Sequence, residues 1–271
     1  MTAGYQDIVV TVEDHVGTIR INRPQAMNAG TIQTWGEMNH TLDEFAANDD
    51  VRVVVLTGTG RAFSAGDDVK EIFVRKQEEG ESSADITREA EALRRHEPVG
   101  LDRLVTYPKP TIAAVNGVAV GYGCDIALMC DLRIAGENAR MGEVFIRRGL
   151  IPESGGLLVL PMLVGWEKAH ELVYTGDIID AQEALRIGMV GRVVPDEELE
   201  SATAELAGRI AAQAPLAQRM AKEGFRIARE GSLQQFFDYQ RKAQELMFRS
   251  ADHREGVQSF LEKRPAQFSG R

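Results

Sequence analysis

The chain is poor in the residues that bind metals or cross-link folds. Its two cysteines, Cys124 and Cys130, lie in one apolar run and lack the paired spacing or neighbouring histidines of a zinc site. They read as reduced core thiols. His15, His40, His96, His170 and His253 are scattered, and none stands three or four residues from another as a helical ligand pair requires. No metal site is expected. No run reaches the roughly 18 apolar residues of a membrane span, and Met1 to Asp7 carries neither a basic nor an apolar leader pattern. The expectation is a cytoplasmic protein with no membrane partner. Positive charge is also in deficit: 31 Lys and Arg face 41 Asp and Glu, a net charge of -10. That balance opposes nucleic acid, whose binding depends on clustered cations that release counterions. A small polyanion is not excluded, because backbone amides and a few local cations can hold phosphates.

The chain does have enough apolar residues for a core: 44% are hydrophobic in 271 residues, and a chain of this length buries roughly 75% of its unfolded surface. Ile8 to Val12 and Val16 to Ile21 alternate as two strands around a turn at Glu13 to His15. Ile32, Trp35, Met38, Leu42 and Phe45 recur at helical spacing within Thr31 to Ala47, and Val51 to Leu56 is apolar enough for a strand buried on both faces. Gln77 to Glu97 is dense in charge and reads as a mobile or partly helical surface excursion. Thr111 to Val115 predicts a strand, Gly123 to Cys130 a helix, Leu132 to Ala135 a strand and Gly155 to Val164 a buried helix broken by Pro161. Val190 to Val194 is the last predicted strand. Beyond it, Glu197 to Ala214, Leu216 to Arg229, Leu233 to Phe248 and His253 to Glu262 read as successive helices. The pattern divides into an α/β core over residues 1–200 and a helical region over 201–271 that needs a partner surface.

Three glycine-containing loops flank the strands: Arg61 to Lys70, Asn116 to Asp125 and Gly149 to Gly156. Glycines ahead of a helix let backbone N–H groups converge on an anion, and the helix dipole adds to the attraction. Two such loops together make an oxyanion hole. Taken singly, each is an ordinary tight connection. Gly117, Gly121 and Gly123 lack dinucleotide-loop spacing, and no Gly-Lys-Ser/Thr is present for a phosphate loop. Pro152 stands where a serine-nucleophile elbow needs glycine, and no nearby histidine suggests a triad, so serine hydrolysis is not expected.

Together the loops resemble the signature of the crotonase (enoyl-CoA hydratase/isomerase) family. Ala62 to Lys70 resembles its Ala-Phe-x-Ala-Gly-x-Asp-apolar-Lys segment, and the second loop its Gly-x-Ala-x-Gly-x-Gly-Cys segment. Asn22-Arg23-Pro24, Ala26-Met27-Asn28, Ile151-Pro152, Lys263-Arg264-Pro265 and Phe268 extend the likeness over almost the whole chain. The resemblance implies a spiral of repeated ββα units, a C-terminal α-helical trimerisation region, and a homotrimer or homohexamer. It implies an acyl-CoA substrate with no separate cofactor, coenzyme A being the carrier. The oxyanion hole falls on the amides of Asp67 and Tyr122. Coenzyme A falls on the backbone near Gln25, Ala26, Ala65 and Val69, with Lys70 and Lys263 near its phosphates.

The family's hydratases carry two glutamates, one just after the second loop and one about 20 residues later. Here those positions hold Asp125 and Phe145. Glu143 stands nearby as a further acid. Glu153, directly after Ile-Pro, matches a position where other members, including the phenylacetate-pathway isomerases, place a catalytic acid. The run Phe145 to Gly156 and the run Arg249 to Gly256 are similar to that isomerase type. The first expectation is therefore an enoyl-CoA isomerase with Glu153 as proton shuttle and Asp125 assisting. The alternatives are hydration by Asp125 and Glu153, and, in another class, a non-catalytic acyl-CoA-binding protein.

Overall fold

The computed structural model describes residues 4–74 and 100–271. The charged excursion predicted at Gln77 to Glu97 lies outside the described residues. Strands β1 (Ile8–Glu13) and β2 (Val16–Ile21) form the antiparallel hairpin expected from their alternation. Asp14 and His15 turn it in the left-handed region, at φ 46° and 67°. Helix α1 (Ile32–Ala47) follows, its start fixed by a reciprocal capping box between Thr31 and Thr34. Asp7 accepts from both hydroxyls, at 3.0 and 2.5 Å. The helix buries Trp35, Met38, Leu42 and Phe45 of the stripe that its spacing predicts, while Ile32 in its first turn is exposed.

From β3 onward the chain repeats one unit. A strand of a six-stranded sheet leads through a tight turn into a three-residue strand of a second sheet, and a helical segment returns. β3 (Val53–Gly58) leads to β4 (Ala62–Ser64), β5 (Thr111–Val115) to β6 (Val118–Val120), and β7 (Leu132–Gly136) to β8 (Arg140–Gly142). β6 continues directly into helix α2 (Tyr122–Met129), while a 3₁₀ turn at Val144–Arg148 follows β8. Helices α3 (Gly156–Val164) and α4 (Trp166–Thr175), the short β9 (Ile179–Asp180), α5 (Ala181–Arg186) and β10 (Arg192–Val194) complete the spiral. The larger sheet runs β1-β2-β3-β5-β7-β10 and is parallel beyond the first hairpin. The smaller runs β4-β6-β8-β9, with β4, β6 and β8 parallel. This is the α/β spiral of repeated ββα units with a C-terminal helical region.

All six residues of β3 are buried because both faces of the larger sheet are covered. Val54 and Leu56 belong to the main core with α1 and α2. Val53 and Val55 face the other way, onto Leu199, Ala202, Ala207 and Ala211 of α6 (Leu199–Ala211). Beyond α6, helices α7 (Pro215–Glu230), α8 (Leu233–Arg249) and α9 (Ala251–Glu262) form the C-terminal bundle. Pro215 opens α7 at a position where a missing N–H costs nothing. The buried Asp252 carboxylate accepts the amides of Ser269 and Gly270 at 2.6 and 2.9 Å, which ties down the last residues.

Candidate active site

The two glycine loops leave the same end of adjacent parallel strands, β4 and β6. Both make their turns at a glycine of positive φ, Gly66 at 85° and Gly121 at 55°. They approach so closely that a Cβ on Gly66 would stand 2.9 Å from the Val120 carbonyl and 3.1 Å from the Tyr122 nitrogen. Asp67 and Tyr122, the residues after the two glycines, are thereby brought together, and Tyr122 opens α2.

A polar framework holds the first loop. Asn28 is fully buried with φ 55°, a region that asparagine tolerates better than most residues. Its side-chain amide donates to the carbonyls of Thr59 and Ala62 at 2.9 and 2.6 Å, and its backbone carbonyl accepts the Ser64 hydroxyl at 2.8 Å. Gly30 and Asp67 form an isolated parallel bridge, with Gly30 N donating to Gly66 O and Asp68 N to Gly30 O, each at 2.8 Å. Arg23 spans Asp7 and Asp68 at 3.6 and 3.3 Å. From the second loop, the Asn116 amide donates to Gly60 O and Ala62 O at 2.8 and 3.0 Å. These contacts explain why Asn22 to Asn28, distant in sequence, belongs to the same signature.

Trp35 joins the two turns. Its indole N–H donates to Asp67 Oδ1 at 2.8 Å, and its ring meets that of Tyr122 edge-on with centroids 4.9 Å apart. The Tyr122 hydroxyl accepts Leu101 N–H at 3.1 Å. Helical spacing identified Trp35 only as a core residue. The one available signal was its N–H, which needs a partner when buried.

A cavity of about 30 Å³ opens at the two turns, lined by Ala65, Gly66, Asp67, Val69, Gly121, Tyr122, Val144, Phe145, Arg148 and Leu150. It is large enough for a group the size of a carbonyl. Phe145 sits in its wall, with Cζ 4.0 Å from where a Gly121 side chain would begin. A larger cleft of about 560 Å³ lies elsewhere, between the β1–β2 face and α6, away from both turns.

Asp125, Glu143 and Glu153 are brought toward one another by α2, β8 and the loop before α3. Asp125 lies in the first turn of α2, fully buried, and its Oδ2 accepts the backbone N–H of Glu153 at 3.1 Å. Gly156 packs so tightly on it that a Cβ there would be 1.8 Å from Asp125 Oδ1. Glu153 itself is exposed, on the loop between buried Pro152 and Ser154, whose φ is 48°. Gly155, not Glu153, occupies the cap position of α3. Glu143 is 1% exposed and directly follows β8. Burial, with the Glu143 carboxyl beside it, holds Asp125 well above the usual carboxylate range, and burial pushes Glu143 up to about 7.

The expected coenzyme A positions divide into two groups. Gln25 and Ala26 form a single 3₁₀ turn next to the first loop, where Ala65 N donates to Met27 O at 3.0 Å. Ala65 and Val69 line the cavity, and Lys70 is exposed on the following turn. These five are brought together. Lys263 is exposed at the C-terminal cap of α9, in the left-handed conformation, and its hydrogen bonding stays within that cap. Among the described residues, no hydrogen bond or ion pair joins it to the glycine loops.

Comparison with known proteins agrees with this architecture. Residues 11–271 match the family model described as enoyl-CoA hydratase/isomerase. A probable enoyl-CoA hydratase of Mycobacterium bovis is 38% identical over 267 residues, 98% of this chain and 99% of its own. The 1,2-epoxyphenylacetyl-CoA isomerase of Escherichia coli is 36% identical over 264 residues, 97% of this chain and 98% of its own. The crystal structure of an enoyl-CoA hydratase from Bacillus anthracis superposes with a TM-score of 0.86 at 35% identity, covering 98% of this chain and all of that one. With the family model spanning nearly the whole chain and the paired glycine turns in place, the protein belongs to the enoyl-CoA hydratase/isomerase (crotonase) family and is an enzyme acting on acyl-CoA thioesters.

Proposed function

We propose that this enzyme hydrates 2-enoyl-CoA thioesters, with Glu153 working on water and Asp125 holding Glu153 in place. The observation that carries the reading is the 3.1 Å hydrogen bond from Glu153 N–H to Asp125, which ties the loop bearing Glu153 to the first turn of the helix that Tyr122 opens. The names of the relatives, mostly hydratases, support the same direction. Isomerisation, the first expectation from sequence, becomes the second reading.

In the proposed reaction the thioester oxygen accepts from the amides of Asp67 and Tyr122. Glu153 takes a proton from water as the water oxygen bonds to C3. The C2–C3 π pair moves toward the thioester as an enolate, whose charge the two amides stabilise. Glu153 then returns its proton to C2, giving the 3-hydroxyacyl thioester. One shuttling acid balances the protons. The coenzyme A part runs along the backbone at Gln25, Ala26, Ala65 and Val69, with Lys70 and Lys263 toward its phosphates. Lys263, remote from the loops within the chain, fits this role through the arrangement of a homotrimer or homohexamer.

Phe145 favours the second reading. An apolar ring in the cavity, where family hydratases carry a glutamate, suits a dienolate passed from one carbon to another by Glu153 alone, as in the resemblance to the phenylacetate-pathway isomerases. Incubation with 2-enoyl- and 3-enoyl-CoA thioesters in deuterated water, with products resolved by mass, separates the two. Hydration yields a product heavier by one deuterated water; isomerisation yields a shifted double bond with no added oxygen. A 3-enoyl substrate converted while the 2-enoyl one stays unhydrated overturns the first reading.

A further inference from the structure

Asp125 and Glu143 are 18 positions apart in sequence, but sheet register brings them together. Val120 pairs with Gly142 across β6 and β8, and Gly121 N donates to Gly142 O at 3.0 Å. Asp125 lies one helical turn past Gly121, and Glu143 is the next residue after Gly142, so their carboxyls come within hydrogen-bonding reach of each other. Both residues are buried, at 0% and 1% exposure. As carboxylates, neither donates, and Asp125 Oδ1, Glu143 Oε1 and Glu143 Oε2 are then all buried without a partner. Three acceptor atoms stranded in this way are costly.

Among the described residues no cation acts on the pair. The titratable groups among them that do act on it are Glu153, from the loop before α3, and the Cys124 thiol, from α2. Neither supplies positive charge. Two adjacent buried carboxyls without a counter-ion retain a proton between them. A proton on Asp125 Oδ1, donated to Glu143, pairs Asp125 Oδ1 with one of the two Glu143 oxygens. It also leaves Asp125 Oδ2 to accept the Glu153 amide, the contact already present at 3.1 Å.

We propose that Glu143 is a positioning residue for Glu153: it shares one proton with Asp125, and that proton keeps Asp125 in the orientation that seats the Pro152–Glu153 turn. Asp125 thereby acts through its hydrogen bonds and delivers no proton to substrate. The inference rests on the reading that Glu153 carries proton transfer, and the test separates the two.

The proton is read by infrared spectroscopy of the protonated-carboxyl C=O stretch at mildly acidic pH, where isolated carboxyls are largely ionised. The parent protein is expected to show a deuterium-sensitive band that both Glu143→Gln and Asp125→Asn remove. Positioning is read by kinetics. Glu143→Leu leaves Asp125 without its partner and is expected to lower kcat by up to about 10²-fold with little change in KM, as for a misplaced group. Glu143→Gln donates to an ionised Asp125 in place of the shared proton and is expected to recover most of that loss. In a Glu153→Gln background, Glu143→Leu is expected to lower kcat no further. Absence of the band, a Glu143→Leu variant with parental kcat, or an additive loss in the Glu153→Gln background overturns the proposal. A parental rate for Glu153→Gln alone overturns the underlying reading while leaving the infrared result to stand on its own.

Discussion

At the residue scale, the acids differ in what burial does to them. Glu143 binds a proton in the fold up to about pH 7, mainly because burial disfavours its charge, whereas its ordinary value is 4.5. The sign follows from linkage: between these values the native state holds a proton that the unfolded chain has released, so unfolding free energy falls as pH rises. The stabilisation is fully present below about 4.5 and is lost through about 7. Denaturant titrations of the parent and Glu143→Gln across this window are expected to show the decline in the parent and a flatter profile in the variant. Equal slopes would contradict the assignment of that proton. Much of the candidate site was legible residue by residue, because Gly66, Gly121 and the acid after Ile-Pro stand in recognisable local patterns. The Asp125–Glu143 pair was not, since only the register of β6 on β8 makes neighbours of them. Nor was the second role of Trp35, whose hydrogen bond to Asp67 spans 32 positions.

At the element scale, β1, β2, α1, β3, β5, β7 and the C-terminal helices could be read from periodicity, because each is long enough to show it. The second sheet was missed. β4, β6 and β8 have three residues apiece, too few to alternate, and their glycine-rich neighbours read as loops. Those glycines are nonetheless what allow the sheet to form beside α2. A Cβ on Gly123 would stand 2.3 Å from the Ser64 carbonyl, and one on Gly117 2.1 Å from the Arg61 carbonyl. Gly123→Ala is therefore expected to destabilise the protein by about 1–3 kcal/mol through overpacking against backbone. Because the displaced partner is the strand that leads into Gly66, turnover should fall as well. Thermal unfolding with parallel kinetics checks both effects, and unchanged stability would show that β4 yields more easily than this packing allows.

At the scale of the whole molecule, the C-terminal bundle and its surroundings leave large apolar side chains uncovered. Phe225, Phe260 and Leu261 are 77%, 81% and 73% exposed, and Trp166 and Tyr174 of α4 are 69% and 70% exposed. A single chain with such surface is expected to associate with copies of itself. Sedimentation at micromolar concentration should give a trimer or hexamer, and a monomer would refute the assembly inferred for Lys263. The path from sequence to chemistry runs through the two glycine turns and ends at one carboxyl, Glu153. The most direct measurement follows a 2-enoyl-CoA in oxygen-18 water with the parent enzyme and Glu153→Gln side by side. The parent should place one labelled oxygen in each product molecule, and the variant, which cannot accept a proton, should lose roughly 10²- to 10⁴-fold in kcat while still binding the coenzyme A product. Parental turnover by Glu153→Gln, or a parent product that carries no labelled oxygen, would contradict hydration through this residue.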